Sequence, residues 1–280
     1  MTKGKLKRSV RNFYDEIGWQ HVSEGIYQNA LYEDLRPVSR EYIHKCHMRV
    51  NRFLSHNGKF FLDAGSGPIQ YSEYLTYSEG YQYRVCMDIS IVALIEAREK
   101  IGDHGLFVVA DIANLPFASN SFSDLTSLHT IHHLPKEDTR KAYLELRRVL
   151  VDGGNAVIVN GWESSPLMQI SKWPILFMER SLGKNTSQDT KAVLNTNQTN
   201  EKPDRTFVNK NNPQSLRELL GSGFLLEIRV WRSVSVRFLR AMIHPFLLGR
   251  SWLKILFLKE ELFPRFFGEN GQYPLITFTK

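Results

Sequence analysis

The stretch Phe61–Gln70, FLDAGSGPIQ, decides how the rest of the chain is read. The apolar run KFFL (59–62) leads into Asp63, Gly65 and Gly67 stand two residues apart, and Pro68 opens an expected helix. Strand, tight glycine turn and helix N-terminus in that order set a nucleotide against backbone N–H groups. Glycines also punctuate ordinary turns, so the weight of the motif depends on what surrounds it.

Beyond the glycine turn the chain alternates regularly between strand and helix. YRVCMDI (83–89) is apolar and β-rich, and Ser90 can cap a helix carrying Leu94, Ala97 and Ile101 on one face. LFVVADI (106–112) and FSDLTSLH (122–129) read as further strands. Pro135 starts a helix with Ala142, Leu146, Val149 and Leu150 on one face, which Gly153–Gly154 stop before NAVIVNG (155–161). Near-continuous apolar strands between amphipathic helices predict an α/β fold, a Rossmann-like and mostly parallel seven-stranded sheet with helices on both faces. Residues 1–55 are expected to form a basic tail and helical cap, and 56–280 the Rossmann-like domain. That domain carries a polar, flexible insert at 163–213 and an apolar, basic insert at 236–267, before the last strand, YPLITFT (273–279).

A chain of 280 residues, 42% hydrophobic, suits one large domain with additions. Two cysteines, Cys46 and Cys86, are too few for a disulfide framework or a clustered metal site. The net charge of +7 is uneven: residues 1–11 hold five cations and no acid, and residues 227–265 hold eight cations against three acids. Such segments can face lipid headgroups, nucleic acid or an acidic substrate. The N-terminus is basic but lacks the apolar core of a signal peptide, so a cytoplasmic location is expected, with a membrane-peripheral position open through 236–267.

Asp63, Asp88 and Asp111 recur at the ends of successive strands, and the C-terminal strand ends of a parallel sheet share one ligand-binding edge. Asp88 lies near the offset from the glycine turn at which a carboxylate grips ribose hydroxyls. With LDAGSGP, CMDIS, ADIANLPFASNSFS, SLHTIHHLP and LRRVLVDGGNAVIVN in this order, the chain resembles the class I S-adenosylmethionine-dependent methyltransferases. The resemblance is to the type 11 and ubiquinone/menaquinone small-molecule group. It implies S-adenosyl-L-methionine as cofactor. Asp63, Gly65, Ser66 and Gly67 would lie at its methionine part, Asp88 and Ile89 at the ribose, and Asp111 and Ile112 at the adenine. Leu128 and His129 would lie under the sulfonium. The group's third loop glycine falls here on Ile69. An aromatic cap over the cofactor is expected from Phe13–Trp19, Tyr14 above all, and from Tyr27.

Methyl transfer is an in-line displacement in which alignment does most of the work, and a base is needed only if the acceptor must lose a proton. His132 and His133 are the candidates for that base, although the same HHLP run can simply close the loop. Asn160 and Trp162 face the acceptor side. The expected activity is transfer to a small, apolar or lipid-like acceptor. The alternatives are an RNA or tRNA acceptor, with nucleic acid the less expected partner, and a protein that binds S-adenosylmethionine without turnover. A nicotinamide oxidoreductase would want G-x-G-x-x-G, and position 70 is Gln.

Overall fold

The computed structural model describes residues 3–23, 26–182 and 206–280. At the N-terminus, helix α1 (Lys3–Phe13) runs into a π-helical turn (Tyr14–Gly18). A two-stranded ribbon, β1 (His21–Ser23) with β2 (Ile26–Tyr27), and helix α2 (Arg40–Met48) lead from there to the central sheet.

The sheet has seven strands. In chain order they are β3 (Gly58–Ala64), β4 (Tyr81–Asp88), β5 (Gly105–Val109), β6 (Phe122–Leu128), β7 (Leu150–Val159), β8 (Glu227–Arg232) and β9 (Tyr273–Thr279). They lie in the order β5-β4-β3-β6-β7-β9-β8, with β9 antiparallel to both of its neighbours and the first five parallel. The order reverses between β3 and β6, and the crevice at such a switch point is where open α/β sheets bind ligands.

Successive strand residues point to opposite faces, and both faces are covered. Phe61, Cys86, Val157 and Val159 join one core cluster with Leu94 and Ala97 of helix α3 (Ile91–Ile101). Leu62, Val85, Leu125 and Ile158 join the other with Ala142 and Leu146 of helix α4 (Lys136–Val149). Ser90 caps α3 as expected, its Oγ accepting from the Ala93 N–H at 3.0 Å. Fully burying a leucine or valine side chain is worth about 1.5–3 kcal/mol, so the apolar faces read from the sequence hold these two helices in place.

The helix expected at Pro68 does not form. Residues 65–71 run as turns and extended chain, and a 3₁₀ segment begins only at Ser72–Ser78. Ile69 sits at φ 53°, left-handed backbone that interrupts a right-handed helix and strains a β-branched residue. Its side chain is buried, and the apolar contacts hold the residue there. β5 stops at Val109, leaving Asp111 on the loop beyond it.

Of the polar insert, residues 166–170 and 172–181 are helical and Pro213–Leu220 is a capped helix, while 183–205 lie outside the described residues. The apolar, basic insert forms helices at Val236–Met242, Gly249–Leu262 and Pro264–Asn270.

Candidate active site

The glycine turn is fastened to the end of β4. The N–H groups of Gly65 and Ser66 donate to the Met87 carbonyl at 2.6 and 3.1 Å, and the Gly67 N–H donates to Asp88 Oδ2 at 2.9 Å. Gly65 and Gly67 have φ of 80° and 56°, and a Cβ at Gly65 would stand 2.2 Å from Thr130 Oγ1. Glycine is required there by conformation and by space. The second Asp88 oxygen accepts from the Ser90 N–H at 2.9 Å. Burial nevertheless dominates, pushing the Asp88 carboxyl up to about 6.

The other two carboxylates are differently placed. Asp63 pairs with the buried Arg84 and accepts from Thr126 Oγ1 at 3.2 Å, so it braces the sheet beneath the turn instead of contacting the turn itself. Asp111 accepts from Lys7 Nζ at 2.6 Å, the Ala113 N–H at 2.9 Å and Asn114 Nδ2 at 3.1 Å. Burial would raise its pKa, but these bonds, the one from Lys7 foremost, outweigh burial and hold the carboxyl below its ordinary range. The same ammonium lies 2.6 Å from Asp138. Ile112 is a core residue, and Ile89 succeeds Asp88 at the mouth of the crevice.

The N-terminal aromatics close over this edge. Trp19 lies against Gly67, where a Cβ would be 3.1 Å from its ring, and Tyr14 stacks on Trp19 with centroids 5.0 Å apart. The Tyr14 hydroxyl is 2.8 Å from His133 Nε2. Burial raises the Tyr14 pKa, helped by the nearby Asp88. The Trp19 indole N–H is buried without an acceptor among the described residues. Tyr27 packs edge-on against Trp19 and donates to Glu96 at 3.1 Å.

The histidines end β6. His129 stands at φ 55°, a second strained residue beside the crevice, with its N–H on the Val159 carbonyl at 2.7 Å. Leu128 before it is half-buried. His133 Nδ1 lies 2.8 Å from the Phe207 carbonyl, which can only accept. The proton is therefore assigned to Nδ1, and Nε2 takes the Tyr14 hydroxyl, so both ring nitrogens of His133 are engaged. His132 Nδ1 lies 3.3 Å from Asn160 Oδ1, which leaves its Nε2 with a lone pair. Burial lowers all three pKa values, His129 to about 3, His133 to about 4, and His132 well below the ordinary value. All three are neutral at pH 7 and weak bases. Trp162 is a packing anchor, its indole N–H donating to the Gly268 carbonyl at 2.7 Å.

The residues fit a nucleoside-bearing cofactor. The turn leaves room for a close backbone approach, an ionisable carboxylate ends β4, and a buried indole N–H in the crevice lacks an acceptor. Lys7 and Lys210 were absent from the sequence-based candidates. Lys7 belongs to a basic run whose target the sequence did not show, and Lys210 to a polar stretch without periodicity.

The methyltransferase domain family matches residues 62–158. A Bos taurus protein named "Probable tRNA methyltransferase 9B" is 28% identical over 142 residues, 50% of this chain and 28% of that one. A protein of Encephalitozoon cuniculi named as a putative methyltransferase is 42% identical over 82 residues, 29% of this chain and 38% of its own. The chain thus spans under two fifths of the length of either relative. Among solved structures, Haemonchus contortus phosphoethanolamine N-methyltransferase 2 with S-adenosyl-L-methionine aligns over 97% of this chain and 60% of that one. Its TM-score is 0.54 at 17% identity, a likeness of fold. Residues 62–158 thus match a methyltransferase domain, and the sheet that holds them has the fold of the compared methyltransferase structure.

Proposed function

We propose that this chain transfers a methyl group from S-adenosyl-L-methionine to a small, apolar or lipid-like acceptor at the C-terminal edge of the sheet. The observation that carries the reading is the glycine turn tied through Gly67 to the Asp88 carboxylate. Bound there, the cofactor supplies an electrophilic methyl on a sulfonium. Asp88 would hold the ribose hydroxyls, the 65–67 backbone the methionine end, and Asp111 the adenine amine once Lys7 has moved aside. Tyr14 and Trp19 exclude water from the crevice and fix the approach direction, and such positioning can supply several kcal/mol of the barrier. If the acceptor must lose a proton, His132 Nε2 is the free lone pair beside Asn160.

An apolar acceptor is supported by the surface beyond the site. Phe246, Leu248, Trp252, Ile255, Leu258 and Leu262 are exposed, and Trp173 and Phe177 are exposed on a second helix. Among the described residues no helix is long and apolar enough to cross a membrane. The similarity to the bovine protein, together with the net charge of +7, favours a second reading, an RNA acceptor. Retention of bulk tRNA on filters at physiological salt would put that reading first.

Calorimetric titration with S-adenosylmethionine and S-adenosylhomocysteine, with NADH as control, tests the proposal. Binding of both sulfur ligands at micromolar concentration and none of NADH is the expected result. Failure of both to bind would show that the Ile69-bearing turn is not a cofactor site.

A further inference from the structure

Beyond His129, on the acceptor side of the crevice, hydrogen-bond donors converge without acceptors to match them. Lys210 Nζ lies against Gly161, just past the end of β7, 3.2 Å from where a Cβ at Gly161 would stand. It makes no ion pair or hydrogen bond with any described residue, and burial alone shifts its pKa, downward, with no anion raising it back. The Trp231 indole N–H and Arg232 Nε are buried without partners among the described residues.

Lys210 lines a basin with His132, Asn160, Gly161, Trp162 and Asn209, and Tyr273 stands beside it, 3.6 Å from where a Cβ at Gly161 would be. His129 packs edge-on against Trp231 and Tyr273 at 5.2 and 5.8 Å between centroids, and the Arg232 guanidinium lies 4.6 Å over the Tyr273 ring. Lys210 and Arg232 both oppose protonation of His129. Glu33 answers one of these two cations, through Arg232. Lys210 is left over. A half-buried ammonium without a counter-ion has lost part of its hydration, and an anion is what replaces it.

We propose that this basin seats an anionic group of the methyl acceptor, a phosphate or a carboxylate, with Lys210 as the charge that selects it; the word acceptor rests on the methyl-transfer reading. An acceptor gripped by its anionic end at Gly161 and Lys210 has the remainder of its length to span toward His129 and the glycine turn. This adds a charged end to the apolar body expected of the acceptor. It also gives a role to a lysine outside the matched 62–158 domain.

The test is calorimetric titration of inorganic phosphate and, separately, of acetate into the full chain saturated with S-adenosylhomocysteine. Wild type, Lys210→Met and Lys210→Arg are compared. The expected result is anion binding weakened by about tenfold or more in Lys210→Met and kept in Lys210→Arg, with S-adenosylhomocysteine affinity equal in all three. The tighter of the two anions identifies the group. Equal anion affinity in wild type and Lys210→Met, or no binding of either anion to wild type, would overturn the assignment. Loss of S-adenosylhomocysteine binding by wild type would instead sink the methyl-transfer reading, and the same titrations run without it still decide the anion site.

Discussion

The Asp88 carboxylate receives two backbone N–H groups, from Gly67 and Ser90, yet burial lifts its pKa to about 6. The unfolded chain releases this proton near pH ~4. Between those values the folded state binds more protons than the unfolded one, so Asp88 makes the ligand-free protein less stable as pH rises through the window. Cofactor affinity runs the other way, because ribose hydroxyls donate to the ionised form, and each charge-assisted bond is worth about 1.5–3 kcal/mol. S-Adenosylhomocysteine should therefore bind more tightly as pH rises through about 6. Asp88→Asn should flatten that profile and weaken binding about tenfold or more at pH 8, for the loss of those bonds. Titrations across the pH range read both effects, and a folded Asp88→Asn protein with wild-type affinity would remove Asp88 from the site. The half-buried histidines His129, His132 and His133 affect stability in the opposite sense. Each has a folded pKa lowered below its unfolded value, so its contribution is present above about 6.5 and is lost as pH falls through the folded value, about 4 for His133 and about 3 for His129.

At the scale of elements, the parallel strands and the helices α3 and α4 were legible because periodicity and capping are local. Leu94, Ala97, Ala142 and Leu146 are buried where the helical spacing put them. The helix expected at Pro68 is absent because Ile69 adopts a positive φ with its side chain buried, which the sequence does not reveal. The three aspartates were read from spacing as one line of ligand groups. In the structure Asp63 turns to Arg84, since a strand residue one position before the edge belongs to the sheet. The contacts of α1 were not legible, because Lys7 and Asp111 meet across 104 residues. Lys7 holds α1 down on Asp111 and Asp138, the first of which is the carboxylate expected at the adenine. Lys7→Met should free Asp111 and raise S-adenosylhomocysteine affinity severalfold, and added salt should narrow the gap between variant and wild type by screening the pairs. A Lys7→Met protein that binds more weakly would show instead that α1 closes on the ligand.

Across the whole molecule, exposed apolar residues are dense in the 236–267 segment, for which the sequence leaves a membrane-peripheral position open. On the helix Gly249–Leu262, Leu253 is buried while Leu256 and Phe257 pack partly against the core. Trp252, Ile255, Leu258 and Leu262 form a separate stripe, with Trp252 61% and Leu262 64% exposed. Arg250, Lys254, Lys259 and Arg265 stand among them. Phe263 and Phe266 extend the apolar surface toward and along the next helix. An amphipathic helix with aromatic and aliphatic groups on one side and cations beside them lies in a bilayer interface, where each basic residue near anionic lipid adds about 1 kcal/mol. Single exposed leucines need no explanation, but four exposed apolar residues on one helix face with two phenylalanines beyond them mark an interaction surface. The protein should therefore co-sediment with vesicles containing phosphatidylserine at low salt and be released as ionic strength rises. Trp252→Glu with Leu262→Glu should abolish retention while leaving S-adenosylhomocysteine affinity unchanged, since neither residue belongs to the elements that form the crevice. Wild-type protein that stays in the supernatant at low salt, or a double variant retained as well as wild type, would show that this surface does not serve a membrane.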